Sequence, residues 1–267
     1  MWIVVCLPAG RLIMPNIDQY SVAARPLEMF FQQTFLSLGT AFVWKQGSDH
    51  YLVTNWHNVS GKDPRTGKHL SQTLAEPDQV KTWWNVKGNL GAKTETMVPL
   101  RSANGEPLWW IHPIFGSKVD VIVLPITPPP NTDMHPINEM PSLNLRLEVG
   151  QDIFILGYPF GIGPAGLPIW KRASIASEPE VLHPSDPHIL VDTASRPGMS
   201  GSPVICKSWA THQLDNGSVQ MSTGSAYRFV GVYSGRIAAT DQNDAQLGMV
   251  CPAQLLIEII AGAKVDA

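Results

Sequence analysis

The segment Asp192-Thr-Ala-Ser-Arg-Pro-Gly-Met-Ser-Gly-Ser-Pro203 decides the fold of this chain. It sets Ser200 between glycines, ahead of a predicted strand from Ser202 to Cys206. The glycines allow the backbone to turn tightly, so that the amides of Gly198 and Ser200 can converge on a developing oxyanion. An ordinary glycine-rich turn seldom carries the terminal proline, so this pattern indicates a nucleophilic serine.

Two other local patterns supply the partners that a serine nucleophile needs. Thr54-Asn-Trp-His-Asn-Val59 puts His57 directly after a predicted strand, and Asp120 opens the apolar strand from Val121 to Ile126. Taken singly, each is more often a surface or turn residue. A serine hydroxyl needs a base to take its proton, and histidine suits that role because it titrates near neutral pH. A buried carboxylate then fixes the histidine tautomer, so the three residues predict a catalytic triad of His57, Asp120 and Ser200.

The order of these residues along the chain selects one fold among several. It runs His, Asp, Ser, whereas subtilisin-like enzymes run Asp, His, Ser and α/β-hydrolases run Ser, Asp, His. The α/β-hydrolase elbow Gly-x-Ser-x-Gly is also absent, because position 202 is serine. The order is that of the chymotrypsin-type enzymes.

The chain resembles the trypsin-like serine peptidases of the chymotrypsin (S1) clan, and the bacterial HtrA/DegP branch more than the digestive trypsins. The resemblance rests on four stretches that occur in the same order as in the family: Val53-Thr-Asn-Trp-His-Asn-Val59, Asp120-Val-Ile-Val-Leu124, Leu156-Gly-Tyr-Pro-Phe-Gly161 and Asp192 to Pro203. It implies two perpendicular β-barrels with the triad in the cleft between them, an oxyanion hole lined by the amides of Gly198, Met199 and Ser200, and protein or peptide substrates.

The resemblance also implies where the substrate binds. The residues it assigns to the substrate pocket are Ala194, Ser195, Ser234, Gly235 and Arg236. The strand from Ser234 to Arg236 would pair with the substrate backbone as an added β-strand. The position that is acidic in the substrate pocket of trypsin is occupied here by Ala194. A preference for Lys or Arg is therefore not expected, and a small or medium apolar residue is expected in the pocket instead. Two alternatives remain open for Arg236: its charge favours an acidic substrate residue, or its side chain simply faces solvent.

Two departures from the family limit what the resemblance implies. The position before the nucleophile is Met199 where digestive trypsins have an Asp, so no zymogen switch of the trypsin kind is expected. Only 67 residues follow Ser200, so no PDZ domain is expected after the protease domain.

The strand pattern itself predicts an all-β fold. Short apolar strands and turns alternate from Phe30 to Ile126, a proline-rich linker follows, and strands resume at Asp152. A short C-terminal helix is predicted from Pro252, because Leu255, Ile259 and Ile260 recur at helical spacing. The prediction is two six-stranded antiparallel β-barrels of the chymotrypsin type, divided as an N-terminal extension (1–25), a first barrel (26–130), a linker (131–145) and a second barrel with the helix (146–267).

Composition excludes several other classes of protein. Hydrophobic residues make up 44% of the 267 residues, so a substantial core is expected. The formal net charge is −3, so the basic surface that nucleic-acid binding needs is not expected. No apolar run is long enough for a membrane span. The opening Met1 to Gly10 is a poor secretory signal, so a cytoplasmic location is the default expectation.

The three cysteines, Cys6, Cys206 and Cys251, form no CxxC pair. A structural zinc site or another metal site is therefore not expected, and no cofactor is predicted. A bridge between Cys206 and Cys251 is left open, and so is the oligomeric state.

Two alternatives to peptide hydrolysis remain at this point. One is a protease fold kept as a binding module after loss of activity, since fold alone does not fix function. The other is an esterase-like hydrolase that uses the same triad on other acyl groups.

Overall fold

The structure, a computed structural model, describes residues 16–183, 186–237 and 246–266. The opening segment Met1 to Gly10, with Cys6, lies outside these ranges. The strands are β1 (Ala24–Phe31), β2 (Thr34–Gln46), β3 (Asp49–Thr54), β4 (Gln79–Val86), β5 (Asn89–Pro99), β6 (Trp110–Ile111), β7 (Ile122–Ile126), β8 (Thr132–Asp133), β9 (Asp152–Gly157), β10 (Ile169–Ile175), β11 (Ile189–Asp192), β12 (Pro203–Gln213), β13 (Val219–Arg236), β14 (Leu247–Pro252) and β15 (Lys264–Val265). The α-helices are α1 (Trp56–Ser60) and α2 (Ala253–Gly262).

The first module is an antiparallel sheet in the order β15-β6-β7-β3-β2-β1-β4-β5, with β8 paired to β4. Residues of alternate positions on β1 and β4, including Leu27, Met29 and Trp84, are buried inside it. This sheet has nine strands where six were predicted. The additions include the two-residue strands β8 and β15, which are too short to produce an alternating pattern in the sequence.

The second module is a closed six-stranded barrel in the order β10-β11-β14-β13-β12-β9. Its interior is filled by apolar side chains such as Ile153, Val204 and Val250. The predicted architecture of two antiparallel β-modules and one short C-terminal helix is confirmed.

A third apolar cluster joins the two modules. Phe42 and Val53 of the first module and Ile205 and Val232 of the second lie in it, all fully buried, together with the inner face of α2 around Leu256. Because this cluster is continuous across the boundary, it fixes one module against the other and defines the walls of the cleft between them.

The chain after α2 returns to the first module. Strand β15 pairs with β6, and the carboxylate of Asp266 accepts hydrogen bonds from the indole nitrogens of Trp56, at 2.7 Å, and Trp109, at 3.0 Å. Trp56 is the first residue of α1. The tail after α2 is therefore tied directly to the helix that also contains His57.

Cys206 and Cys251 are buried free thiols, so the bridge left open by the sequence is not formed. Burial raises the pKa of the Cys206 thiol to about 11 and that of Cys251 to about 12. Among the described residues, every helix is too short or too polar to cross a membrane. The module boundaries at residues 25, 130 and 145 stay predictions.

Candidate active site

His57 is held at the point where a buried strand turns into a short helix. The strand β3 ends at Thr54, and α1 begins two residues later at Trp56. The helix stops after one turn because Gly61 adopts a left-handed conformation (φ 68°) and its amide donates to the carbonyl of His57 at 3.1 Å.

Asp120 forms two hydrogen bonds with His57. Its Oδ2 lies 2.7 Å from Nδ1 of the imidazole, and its Oδ1 accepts the backbone amide of His57 at 3.0 Å. The residue is 2% exposed and sits just before β7, the neighbour of β3 in the sheet. Asn55 donates to its carbonyl oxygen at 2.6 Å, which fixes the backbone as well. A carboxylate on Nδ1 favours the tautomer whose Nε2 is free to accept a proton.

Ser200 projects from a turn anchored on the opposite module. Gly198 (φ +94°) and Gly201 (φ +84°) both adopt conformations that favour glycine. The carbonyl of Ser200 accepts the backbone amide of Thr40 at 2.8 Å and the side chain of Asn58 at 3.2 Å. The serine of the second module is thus positioned by hydrogen bonds from the first.

The peptide before Gly198 is oriented by a contact from the turn after β9. The amide of Phe160 donates to the carbonyl of Pro197 at 2.8 Å. In a trans peptide the carbonyl and the following N–H point in opposite directions, so the N–H of Gly198 points away from Phe160. The carbonyl of Gly198 is held in turn by the hydroxyl of Thr40, at 2.8 Å.

These contacts leave two amides unused at the nucleophile turn. Within the described chain, the N–H groups of Gly198 and Ser200 donate to no protein acceptor, whereas that of Met199 donates to the carbonyl of Arg196 at 3.3 Å. Of the three donors predicted from the resemblance, Gly198 and Ser200 are the two that remain available to a ligand.

The His57 ring bonds to Asp120, and among the described residues no hydrogen bond joins it to the Ser200 hydroxyl. Such bonds are often long in unliganded sites and shorten when a ligand binds. Burial opposes a charge on the ring, but the charge and hydrogen bond of Asp120 outweigh it and raise the pKa of His57 above its ordinary 6.5. Asp63 adds to this effect from a greater distance.

A cavity of about 660 Å³ opens between the modules, and His57, Asp120 and Ser200 all line it. The second module contributes Ser234, Gly235 and Arg236, three of the residues predicted to bind substrate, to its walls. Ala194 and Ser195, the other two predicted substrate residues, do not line this cavity. Ala194 is half-buried and Ser195 is buried beside β13.

Tyr233 is buried between β14 and the segment that precedes Ser200. Its phenol is 1% exposed and packs on β14, where a methyl group placed on Gly248 would lie 2.7 Å from the ring. The same methyl would lie 3.1 Å from the side chain of Thr193. The ring therefore occupies the space between the segment that precedes Ser200 and β14. The resemblance places Tyr233 in the strand Gly231 to Arg236 beside the substrate pocket, but its side chain was given no role because a tyrosine in a strand usually signals ordinary packing.

Several other residues of the site were not predicted. Asn55 lies within the quoted Thr54 to Val59 motif and was read only as a neighbour of His57. Thr40 acts through its hydroxyl and its backbone amide, and Phe160, which lies in the quoted stretch Leu156 to Gly161, acts through its backbone amide. The residue types alone do not predict these contacts. Within the described ranges, no cluster of His, Cys, Asp and Glu side chains could hold a metal ion.

Comparisons with known proteins give a family and a fold. A family model described as a trypsin-like peptidase domain matches residues 39–211. No curated protein matches the sequence. Among solved structures, the serine endoprotease from Yersinia pestis is 13% identical with a TM-score of 0.51, covering 93% of this chain and 67% of that one. A thermostable serine protease, AL20, from an extremophilic microorganism is 10% identical with a TM-score of 0.51, covering 92% of this chain and 99% of that one.

Proposed function

The chain belongs to the trypsin-like peptidase family, and from that premise we propose that it is a serine endopeptidase acting through His57, Asp120 and Ser200. The observation that supports this most directly is that a carboxylate-bound histidine and a serine between left-handed glycines line one cleft. All three residues are of the type that acyl transfer requires.

Each group has one task in the proposed mechanism. The Oγ of Ser200 attacks the carbonyl carbon of the scissile peptide bond, and its proton passes to Nε2 of His57. The oxyanion accepts hydrogen bonds from the N–H groups of Gly198 and Ser200. The C–N bond then breaks, and His57 gives the proton to the departing amine. Water repeats the sequence on the acyl-enzyme and releases the acid, while Asp120 stabilises the imidazolium in both halves.

The shape of the cleft supports a small side chain on the acyl side of the scissile bond. We infer this because the Tyr233 ring fills the space between β14 and the segment that precedes Ser200. This agrees with the small or medium apolar residue expected from the sequence.

The first experiment is labelling of the folded protein with a fluorophosphonate. Ser200 Oγ should form a bond to phosphorus as fluoride leaves, and tandem mass spectrometry should place the adduct on Ser200. Ser202→Ala is the matched control, because the Ser202 hydroxyl is buried without a hydrogen-bond partner and should not be needed. A folded protein that forms no adduct would instead support the binding-module alternative. Comparing matched amide and ester substrates separates the peptidase from the esterase.

The oxyanion hole gives a quantitative test. Gly198→Ala should lower kcat by about a hundred- to a thousandfold or more, since one lost donor alone has an effect of that size. A methyl at this position would lie 2.4 Å from the carbonyl oxygen of Tyr158, so the turn has to move. Gly217→Ala is the control: its φ is +78° but its methyl meets no atom within 4 Å. Equal kcat for both variants would argue against this oxyanion hole.

A further inference from the structure

We propose that the cleft selects peptides with an acidic side chain close to the scissile bond, held by Lys118 and Arg236. This inference rests on the proposed function and adds a substrate class to it. Both cations are exposed side chains that line the same cavity as His57 and Ser200. Neither has a carboxylate within 4 Å among the residues that the structure describes.

The carboxylates of the cleft are already engaged, although they equal the cations in number. Asp120 is bound to the imidazole of His57. Asp63 accepts the backbone amides of the turn that follows it, at 2.9 and 2.8 Å, and these contacts lower its pKa against the opposing effect of burial. Asp186 accepts a hydrogen bond from the ring of His188. Within the described chain, none of the three forms an ion pair with Lys118 or Arg236.

The third cation of the cleft, Arg65, differs from the other two. Its guanidinium donates to the sulfur of Met249 at 2.7 Å and lies 3.9 Å from a carboxylate oxygen of Asp186. It thus links the loop after α1 to the second module. Among the residues that the structure describes, Lys118 and Arg236 make no such contacts, and they are the cations left for a ligand.

The edge of β13 shows where a peptide would pass between them. One edge of this strand pairs with β14 as far as Arg236, but its pairing with β12 ends at Val232. From Ser234 to Arg236 the edge facing the cavity has no strand partner in the described chain. A peptide added there as a strand passes Ser200 and Arg236, with Lys118 lining the same cavity just before Asp120. An acidic side chain on it would meet positive charge that no described carboxylate pairs with.

The size of the effect follows from the exposure of both cations. A solvent-exposed ion pair changes affinity by about two- to fivefold and weakens as salt is added. Two such cations together should favour Glu over Gln by about tenfold in kcat/KM at low ionic strength. Near 0.5 M salt the Debye length is only about 4 Å, and most of that preference should disappear.

The test is a set of fluorogenic peptides that differ by a single Glu or Gln, scanned from four residues before the scissile bond to two after it. At least one position should favour Glu by about tenfold in about 0.01 M salt and lose most of this advantage in 0.5 M salt. If Glu is no better than Gln at every position, the inference is overturned.

Variants assign the preference to the two cations. Lys118→Gln and Arg236→Gln should each reduce the Glu/Gln ratio by about two- to fivefold, and the double variant should abolish it. Because both peptides are measured on the same variant, a general loss of activity cancels from the ratio. Lys87→Gln removes an exposed charge outside the cleft and should leave the ratio unchanged. A ratio that survives in the double variant overturns the inference.

Fluorophosphonate labelling of the unmodified protein keeps the two proposals apart. If Ser200 is labelled and peptides are cleaved without a preference for Glu, only the substrate class fails. If the protein neither labels nor cleaves, the peptidase proposal fails first and the cations have no substrate to select.

Discussion

Ser200→Ala should lower kcat for peptide hydrolysis by about a millionfold, the usual cost of losing the serine of such a triad. The substitution removes the atom that forms the acyl-enzyme, and no neighbouring group replaces it. The measurement is hydrolysis of a fluorogenic peptide with enzyme in excess, so that very slow turnover is still detected.

The loss has to be separated from unfolding and from a contaminating protease. In the described chain the Ser200 hydroxyl bonds to no other residue, so its removal should change the free energy of unfolding by less than about 0.5 kcal/mol. Ser202→Ala, purified in the same way, should keep its activity. Residual hydrolysis in Ser200→Ala at more than about a thousandth of the original rate would mean that another nucleophile acts.

Asp120→Asn should lower kcat by about ten thousandfold while leaving the fold intact. The asparagine fills the same volume, but its amide can turn its N–H₂ toward Nδ1 of His57. The imidazole then carries its proton on Nε2, where it cannot accept the proton of Ser200. Asp215→Asn removes one exposed carboxylate far from the cleft and should leave kcat unchanged.

The pH dependence of the same variant supplies an independent readout. Burial of His57 opposes its charge, and Asp120 outweighs burial to raise the pKa of the ring above 6.5. Because the neutral ring is the base, the rate falls as pH drops through that pKa. Removing the carboxylate leaves burial as the main influence, so the midpoint of the acid limb should move to lower pH. A midpoint that stays in place, or moves up, would mean that another group controls the limb.

The proposed catalytic residues could be predicted from the sequence because each lies in a local pattern. His57 follows a strand, Asp120 opens one, and Ser200 sits between glycines, so their residue types and order suffice for a triad prediction. The wall of the substrate pocket was harder to predict. Ala194 and Ser195 lie near the nucleophile in sequence, but Tyr233 from a neighbouring strand fills the space beside them.

Contacts between distant segments could not be predicted in the same way. The amide of Phe160 orients the peptide before Gly198, and the amide of Thr40 binds the carbonyl of Ser200, yet backbone amides leave no trace in residue types. The pairing of β15 with β6 could not be predicted either, since the two residues of β15 are too few to show a period in the sequence. Such features depend on how the modules meet.

The bond between Trp56 and Asp266 has a consequence for how the protein is made. The two residues are 210 positions apart, so at about 5–20 residues per second a ribosome adds Asp266 about 10–40 s after Trp56. During that interval the indole beside His57 has no carboxylate to bind. Translation products that stop before residue 266 never acquire it. The bond that anchors the first residue of the helix containing His57 can thus form only after 210 further residues have been added.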